Sequence, residues 1–165
     1  MAETMNSTGH GGCIPEMNTG KPTMLCVLYV DDEPMLLDVC KLYLERRSDI
    51  SVSIADSVEN ALKLLDSSPF DVIISDYQMP GTNGIGFLKI LKEKQFSIPF
   101  ILFTGHGGEE VLTEALSNGA MFYIQKGGNS RSQFIELDLK IREACQRRQT
   151  EMPSGETGLR CNTAL

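Results

Sequence analysis

Residues 71–80 read Asp-Val-Ile-Ile-Ser-Asp-Tyr-Gln-Met-Pro, and within them a short run of apolar residues ends in a serine and an aspartate. A second run of the same kind, Phe-Ile-Leu-Phe-Thr-Gly, occupies residues 100–105. Apolar strands that do not alternate with polar residues are typical of parallel sheets buried on both faces. The two stretches therefore predict strands of a parallel sheet, each with polar residues at its carboxyl end.

Around these runs, short apolar segments alternate with segments whose apolar residues have helical spacing. The predicted strands are residues 25–30, 51–55, 71–75, 99–103 and 121–124. The predicted helices are residues 33–47, 58–65, 85–91, 109–117 and 130–148. Asp56 or Ser57 is the expected cap of the second helix. This order predicts an α/β fold, a three-layer sandwich in which helices on right-handed crossovers cover both faces of a five-stranded parallel sheet.

The two ends of the chain differ from this central block. Residues 1–23 are rich in Gly, Asn, Thr and Met without a helical or strand period, so we expect a flexible lead. Residues 149–165 contain proline and glycine without an apolar stripe, so we expect a flexible tail. One domain is predicted over residues 24–148. No output domain is expected after it, which predicts a stand-alone domain or a piece of a longer sensor.

Composition and charge exclude several classes of protein. The 165 residues are 41% hydrophobic and 22% charged, which is typical of a chain with a packed core. A net charge of −7 argues against direct binding to nucleic acid. No apolar run reaches the roughly 18–20 residues that span a bilayer, and the first residues lack a secretory signal pattern. The five cysteines contain no Cys-x-x-Cys pair. We expect a cytoplasmic protein without membrane insertion.

Chemically active side chains follow four of the predicted strands, namely Asp31 and Asp32, Asp76, Thr104 and Lys126. Ligands of open α/β sheets bind beyond the carboxyl ends of the strands, so these groups are expected at one edge. Clustered carboxylates repel one another, and all-oxygen ligation suits Mg²⁺. We interpret Asp31 and Asp32 as the metal pair and Asp76 as a nucleophile toward a phosphoryl group. Thr104 and Lys126 would each hold a phosphoryl oxygen.

These residues belong to four segments of characteristic sequence. They are Tyr-Val-Asp-Asp-Glu at 29–33, Ser-Asp-Tyr-Gln-Met-Pro at 75–80 with Asn-Gly at 83–84, Phe-Thr-Gly at 103–105 and Tyr-Ile-Gln-Lys at 123–126. Over residues 25–148 the sequence resembles the receiver domain of two-component response regulators. The resemblance implies a doubly wound, flavodoxin-like fold. It also implies a signalling domain that is not an enzyme beyond its own phosphorylation and dephosphorylation.

The resemblance implies a role for each matching residue at the acidic edge. Asp76 would accept a phosphoryl group from a histidine kinase or a phosphotransfer protein. Asp32 would bind Mg²⁺ directly, Asp31 would assist through water, and Asp76 and the main-chain carbonyl of Gln78 would complete the protein ligands. These roles make phosphorylation on one aspartate dependent on a bound magnesium ion.

The resemblance also implies a switch. Thr104 and Lys126 would hold the phosphoryl oxygens, and Tyr123 matches the position of an aromatic ring that turns inward as Thr104 moves. The surface of the fourth helix, fifth strand and fifth helix, about residues 108–146, would then change its partners. The expected partner is a downstream protein, and a homodimer is also compatible with the sequence.

Two features depart from the family pattern. Gly127 and Gly128 replace the usual proline after the lysine. A cis bond to glycine would cost about 2.5–4 kcal/mol, so a trans bond is expected here. Gln78 and His106 occupy variable positions that, in the family, tune the lifetime of the acyl phosphate.

Two other functions are compatible with the residues. The first is a Mg²⁺-dependent phosphohydrolase with a phospho-aspartate intermediate. Such enzymes typically carry a second aspartate two residues after the nucleophile, and this chain has Gln78 there. The second is a receiver-like module that binds partners without phosphorylation, against which the retention of every site position argues. Tyr123 could also be an ordinary half-buried packing residue.

Overall fold

Five strands alternate with five helices over residues 23–151, the part of the chain that the computed structural model describes. In chain order they are β1 (Leu25–Val30), α1 (Pro34–Leu44), β2 (Ile50–Ala55), α2 (Val58–Ser67), β3 (Val72–Ser75), α3 (Gly84–Glu93), β4 (Phe100–Thr104), α4 (Glu109–Ser117), β5 (Phe122–Gln125) and α5 (Ser130–Glu151). The predicted alternation of elements is confirmed. None of these helices is both long and apolar enough to cross a bilayer.

The strands form one parallel sheet in the order β2-β1-β3-β4-β5. The chain winds outward from the central pair, with β2 beyond β1 on one side and β4 and β5 beyond β3 on the other. This is the doubly wound, flavodoxin-like fold that the sequence predicts. In such sheets the crevice at the carboxyl ends of the central pair, where the winding direction changes, is the usual binding site.

Hydrophobic side chains cover both faces of the sheet, as the apolar runs predict. Along β1, Val27 and Tyr29 point to one face and Leu28 and Val30 to the other. On the first face, α1 and α5 contribute the buried residues Leu37, Cys40, Leu44, Phe134, Leu137, Ile141, Ala144 and Cys145. On the second face, α2, α3 and α4 contribute Val58, Ala61, Leu65, Ile85, Phe87, Leu88, Leu91 and Ala115.

Helix α1 is shorter than predicted. It begins at Pro34, a residue that is favoured in the first helical position because it has no N–H to satisfy. It ends at Leu44, three residues before the predicted end. The side chains of Glu45 and Lys41 instead contact the outer edge of β2, where Glu45 accepts the N–H of Val52 at 2.8 Å and Lys41 donates to its carbonyl at 2.6 Å. These contacts satisfy main-chain groups that an edge strand leaves free.

The other helix boundaries lie close to the prediction. Ser57 is the cap of α2, and its side chain accepts the N–H of Asn60 at 3.3 Å. Helix α5 continues to Glu151, beyond the predicted end at 148. The predicted flexible segments, 1–23 and 149–165, lie almost wholly outside the described residues. The proposed domain limits therefore stay a prediction.

Candidate functional site

Two neighbouring strand ends place the central carboxylates. Val30 of β1 is paired with Ser75 of β3, and the N–H of Asp76 donates to the Val30 carbonyl at 2.9 Å. Asp31 and Asp76 therefore leave adjacent strands at the same level. Carboxylate oxygens of Asp31, Asp32 and Asp76 lie within 4.8 Å of one another. The structure thus brings together the three carboxylates that the sequence places at this edge.

Lys126 places its ammonium group between two of these carboxylates. The pairing of β4 with β5 positions Lys126, because its main-chain N–H donates to the Thr104 carbonyl at 2.7 Å. Its Nζ lies 2.6 Å from Oδ2 of Asp31 and 3.7 Å from Oδ1 of Asp76. Three carboxylates and one ammonium leave the cluster with a charge of −2 when all are ionised. A divalent cation with a preference for oxygen ligands would neutralise that charge.

Asp31 is fully buried, and protein groups satisfy both of its carboxylate oxygens. Oδ1 accepts the N–H of Glu33 at 3.0 Å. Oδ2 accepts the hydroxyl of Tyr29 at 2.7 Å as well as Lys126. Burial, followed by the nearby charge of Asp31, raises the pKa of the Tyr29 hydroxyl, so this group keeps its proton and acts as the donor. A buried carboxylate needs such partners, because an unpaired buried charge is strongly destabilising.

Our reasoning from sequence missed Tyr29 as a site residue and treated it only as part of a strand. Two signals could have identified it. It lies two residues before Asp31 in a strand, so the two side chains point to the same face. A tyrosine in an otherwise apolar buried strand also needs a hydrogen-bond partner for its hydroxyl, and the aspartate is the polar group within reach.

Asp76 is 4% exposed and has a fixed orientation. Its Oδ1 accepts the N–H of Tyr77 at 2.8 Å. Burial raises the pKa of the Asp76 carboxyl above its usual 3.8, and repulsion from Asp31 adds to the rise. The charge of Lys126 lowers this pKa and partly offsets the effect of burial. Ionised Asp76 is therefore held at a cost to folding stability.

The raised pKa of Asp76 makes the stability of the metal-free protein depend on pH. The folded pKa of Asp76 lies above its unfolded value, so ionisation of Asp76 destabilises the fold as pH rises through this window. In EDTA, Asp76→Asn should be more stable than the wild type at neutral pH, and the difference should shrink toward about pH 4. Urea unfolding of both proteins at several pH values measures this difference in the free energy of unfolding. Asp66→Asn, at an exposed position, is the control. A difference that does not change with pH would contradict the assignment.

The site opens to solvent through a cleft on one side. Asp32 is exposed, whereas Asp31 and Asp76 are buried. The cleft is lined by Asp32, Asp76, Gln78 and His106 among others. A ligand must enter through this cleft to contact Asp76, so the residues at positions 78 and 106 stand at the entrance to the buried carboxylate.

Thr104 connects the site to the loop of residues 105–108. Its hydroxyl is buried, donates to the carbonyl of His106 and accepts the N–H of the same residue, both at 3.1 Å. Tyr123 lies against the same loop, since a Cβ added at Gly107 would be 2.5 Å from the Tyr123 hydroxyl. Thr104 and Tyr123 therefore both contact this loop, one from the carboxylate side and one from β5.

The two glycines after Lys126 have conformations that explain the departure from proline. The Lys126–Gly127 bond is trans, as expected. Gly127 and Gly128 have φ values of 156° and 80°. Proline is restricted to φ near −65°, so it could not adopt either conformation. Glycine reaches both without a steric penalty.

The fold and the site together define a receiver domain, in which an acidic cluster and a lysine meet at the carboxyl ends of a doubly wound sheet. The chain belongs to the response regulator receiver domain family, which matches residues 27–136. The resemblance inferred from the sequence is thereby confirmed. Receiver domains are signalling domains that work with a cognate histidine kinase in two-component systems, and they typically bind Mg²⁺ at an acidic cluster.

Curated relatives and solved structures agree with this assignment. Response regulator SaeR of Staphylococcus aureus (strain USA300) is 35% identical over 118 residues, which are 72% of this chain and 49% of that protein. A receiver domain protein from Clostridium thermocellum is 27% identical with a TM-score of 0.70, covering 78% of this chain and 100% of the other. The response regulator domain of Thermotoga maritima CheB is 31% identical with a TM-score of 0.67, covering 74% and 97%. The chain spans about half the length of the curated relatives it matches.

Proposed function

We propose that this protein is the phosphoacceptor of a two-component phosphorelay and that Asp76 receives the phosphoryl group from a histidine kinase or a phosphotransfer protein. One observation carries the proposal. The carboxylate of Asp76 lines an open cleft, with the carboxylates of Asp31 and Asp32 within 4.8 Å and the ammonium of Lys126 3.7 Å from its Oδ1. Such a cluster can stabilise a phosphoryl group that is transferred to a carboxylate.

The side chains of the site have distinct tasks in this transfer. A carboxylate oxygen of Asp76 attacks phosphorus, while the N–H of Tyr77 and the ammonium of Lys126 keep the carboxylate oriented. A phosphorus–oxygen bond forms as the phosphorus–nitrogen bond to the donor histidine breaks, and the electron pair stays on the imidazole. Lys126 and Thr104 then bind phosphoryl oxygens.

The metal proposal follows from the donor set. Three carboxylates at this spacing fit Mg²⁺, which binds proteins through one or two carboxylates and keeps several waters. Both oxygens of Asp31 are already occupied by protein donors, which favours contact through water. Asp32, which is exposed, would be a direct ligand, as would Asp76 and the carbonyl of Gln78. When bound, Mg²⁺ supplies charge neutralisation for the transferred group.

Loss of the Asp32 carboxylate should therefore abolish most of the affinity for Mg²⁺. In Asp32→Ala we expect the dissociation constant to rise at least about 100-fold, since even outer-shell partners of a metal are worth roughly 10–100-fold. Calorimetric titration with MgCl₂ measures it. Asp66→Ala, which removes an exposed carboxylate from α2, is the matched control and should bind as the wild type does. Equal affinity in Asp32→Ala and the wild type would refute the metal role.

The contacts of Thr104 suggest how phosphorylation changes the surface. We propose that its hydroxyl leaves His106 for a phosphoryl oxygen, which releases the loop of residues 105–108. Tyr123 lies against that loop and can then turn inward. The surface of α4, β5 and α5 would change its partners, a downstream protein or a second copy of the chain. With this role, we propose that the protein acts in the cytoplasm.

Intact mass after treatment with acetyl phosphate and Mg²⁺ distinguishes the candidate functions. A phosphoacceptor gains the mass of one phosphoryl group. A phosphohydrolase, favoured only by the acidic cluster and opposed by Gln78, would consume the donor over many turnovers without retaining the group. A module that works without phosphorylation would do neither. The first result supports the proposal, and the other two overturn it.

A further inference from the structure

Tyr29 and Lys126 share one oxygen atom of Asp31. The Tyr29 hydroxyl lies 2.7 Å from Oδ2 of Asp31, and Nζ of Lys126 lies 2.6 Å from the same atom. Tyr29 and Asp31 are both 0% exposed, so water does not reach this contact. The carboxylate oxygen thus has two donors, one neutral and fixed in β1, the other charged and on a flexible side chain.

This double contact matters because the ammonium of Lys126 can pair with either of two carboxylates, Asp31 or Asp76. In the structure its ammonium is closer to Asp31, at 2.6 Å, than to Asp76, at 3.7 Å. When a phosphoryl group is bound to Asp76, we expect this ammonium to turn from Asp31 toward the phosphoryl oxygens. Without Tyr29, Oδ2 of Asp31 would then lose its only hydrogen-bond donor, and an unsatisfied oxygen on a buried carboxylate is costly. The Tyr29 hydroxyl remains in place and keeps Oδ2 hydrogen bonded.

We propose that Tyr29 is a positioning residue that holds Asp31 while Lys126 passes to the phosphoryl group. The inference rests on the proposed function, since it concerns the same transfer. Tyr29 does not touch the phosphoryl group. It acts through Asp31 by making the departure of Lys126 easier.

The hydroxyl can be separated from the packing role of the ring. The Tyr29 ring packs in the core and lies 6.4 Å from the ring of Phe103, at an angle of 47°. Phenylalanine keeps these apolar contacts and removes only the group that reaches Asp31. Tyr29→Phe therefore tests the hydrogen bond and leaves the core filled.

The test compares two ligands of the same site. Beryllium fluoride in the presence of Mg²⁺ imitates a phosphoryl group on an aspartate and should draw Lys126 away from Asp31, whereas Mg²⁺ alone should not. In Tyr29→Phe we expect about a tenfold loss of affinity for beryllium fluoride, the loss of one hydrogen bond to a charged group. Mg²⁺ affinity should change less than about threefold. Titrations followed by NMR give both constants.

Tyr43→Phe is the matched control, since it removes a hydroxyl from a ring that stacks on Phe134 at 5.1 Å and lies outside the site. It should match the wild type in both titrations. If Tyr29→Phe binds beryllium fluoride as the wild type does, or loses both affinities in parallel, the inference is overturned. If the wild type itself does not bind beryllium fluoride, the proposed function fails and not merely the role of Tyr29.

Discussion

Asp76→Asn should lose all phosphorylation by acetyl phosphate, to background. Asparagine has nearly the same shape, but its amide is not a nucleophile toward phosphorus. The neighbouring carboxylates cannot replace it. Asp31 is buried with both oxygens hydrogen bonded, and exposed Asp32 has no salt bridge to Lys126, which contacts Asp31 and Asp76. Intact mass over a time course measures the incorporated group.

Asp66→Asn provides the comparison for this prediction. It removes one exposed carboxylate from α2 and leaves the acidic cluster unchanged, so it should be phosphorylated at the wild-type rate. If Asp76→Asn acquired the group as fast as Asp66→Asn, a different residue would be the acceptor and the assignment of Asp76 would be wrong.

Gly84→Ala should be the most destabilising single methyl addition near the site. Gly84 is the first residue of α3, and its N–H donates to the Tyr77 carbonyl at 2.9 Å. A Cβ there would overlap the carbonyl oxygen of Asp76 and lie 2.8 Å from Cδ1 of Leu102. The carbonyl is main chain and accepts the Ser75 hydroxyl, so it cannot simply rotate away. We expect a loss of about 3 kcal/mol in the free energy of unfolding.

Urea unfolding measures this loss, and Gly108→Ala is the matched control. Gly108 precedes α4 with a φ of −116°, and a Cβ added there meets no heavy atom within 4 Å. Its substitution should cost no more than about 1 kcal/mol, because alanine is a poorer N-cap than glycine but meets no clash here. Similar losses in the two variants would show that the close contact between α3 and the end of β3 does not exist.

The fold could be predicted from the sequence because its central strands have a simple signature. The runs at 72–74 and 100–103 are short and apolar throughout, a pattern that is typical of strands covered on both faces. The end of α1 could not be predicted in this way. It depends on Glu45 and Lys41 reaching the edge of β2, which is a contact between side chains and the main chain of another element.

The sequence predicts which residues of the site lie together, but it does not predict the contacts between their side chains. The rule that ligands bind at the carboxyl ends of strands brought Asp31, Asp76 and Lys126 to one edge. The sequence does not show that both oxygens of Asp31 are occupied, because this depends on side-chain conformations. It also does not show that Asp31 is buried while its neighbour Asp32 is exposed. Tyr29 was missed although its position, two residues before Asp31, places both side chains on the same face of β1.

The most direct test locates the phosphoryl group within the chain. Wild-type protein is treated with acetyl phosphate and Mg²⁺, reduced with borohydride to convert a phosphorylated aspartate into homoserine, and digested for peptide mass spectrometry. The account predicts one modified position, residue 76, and no modification when Mg²⁺ is withheld. Homoserine at residue 31 or 32, or at any other carboxylate in place of residue 76, would contradict it.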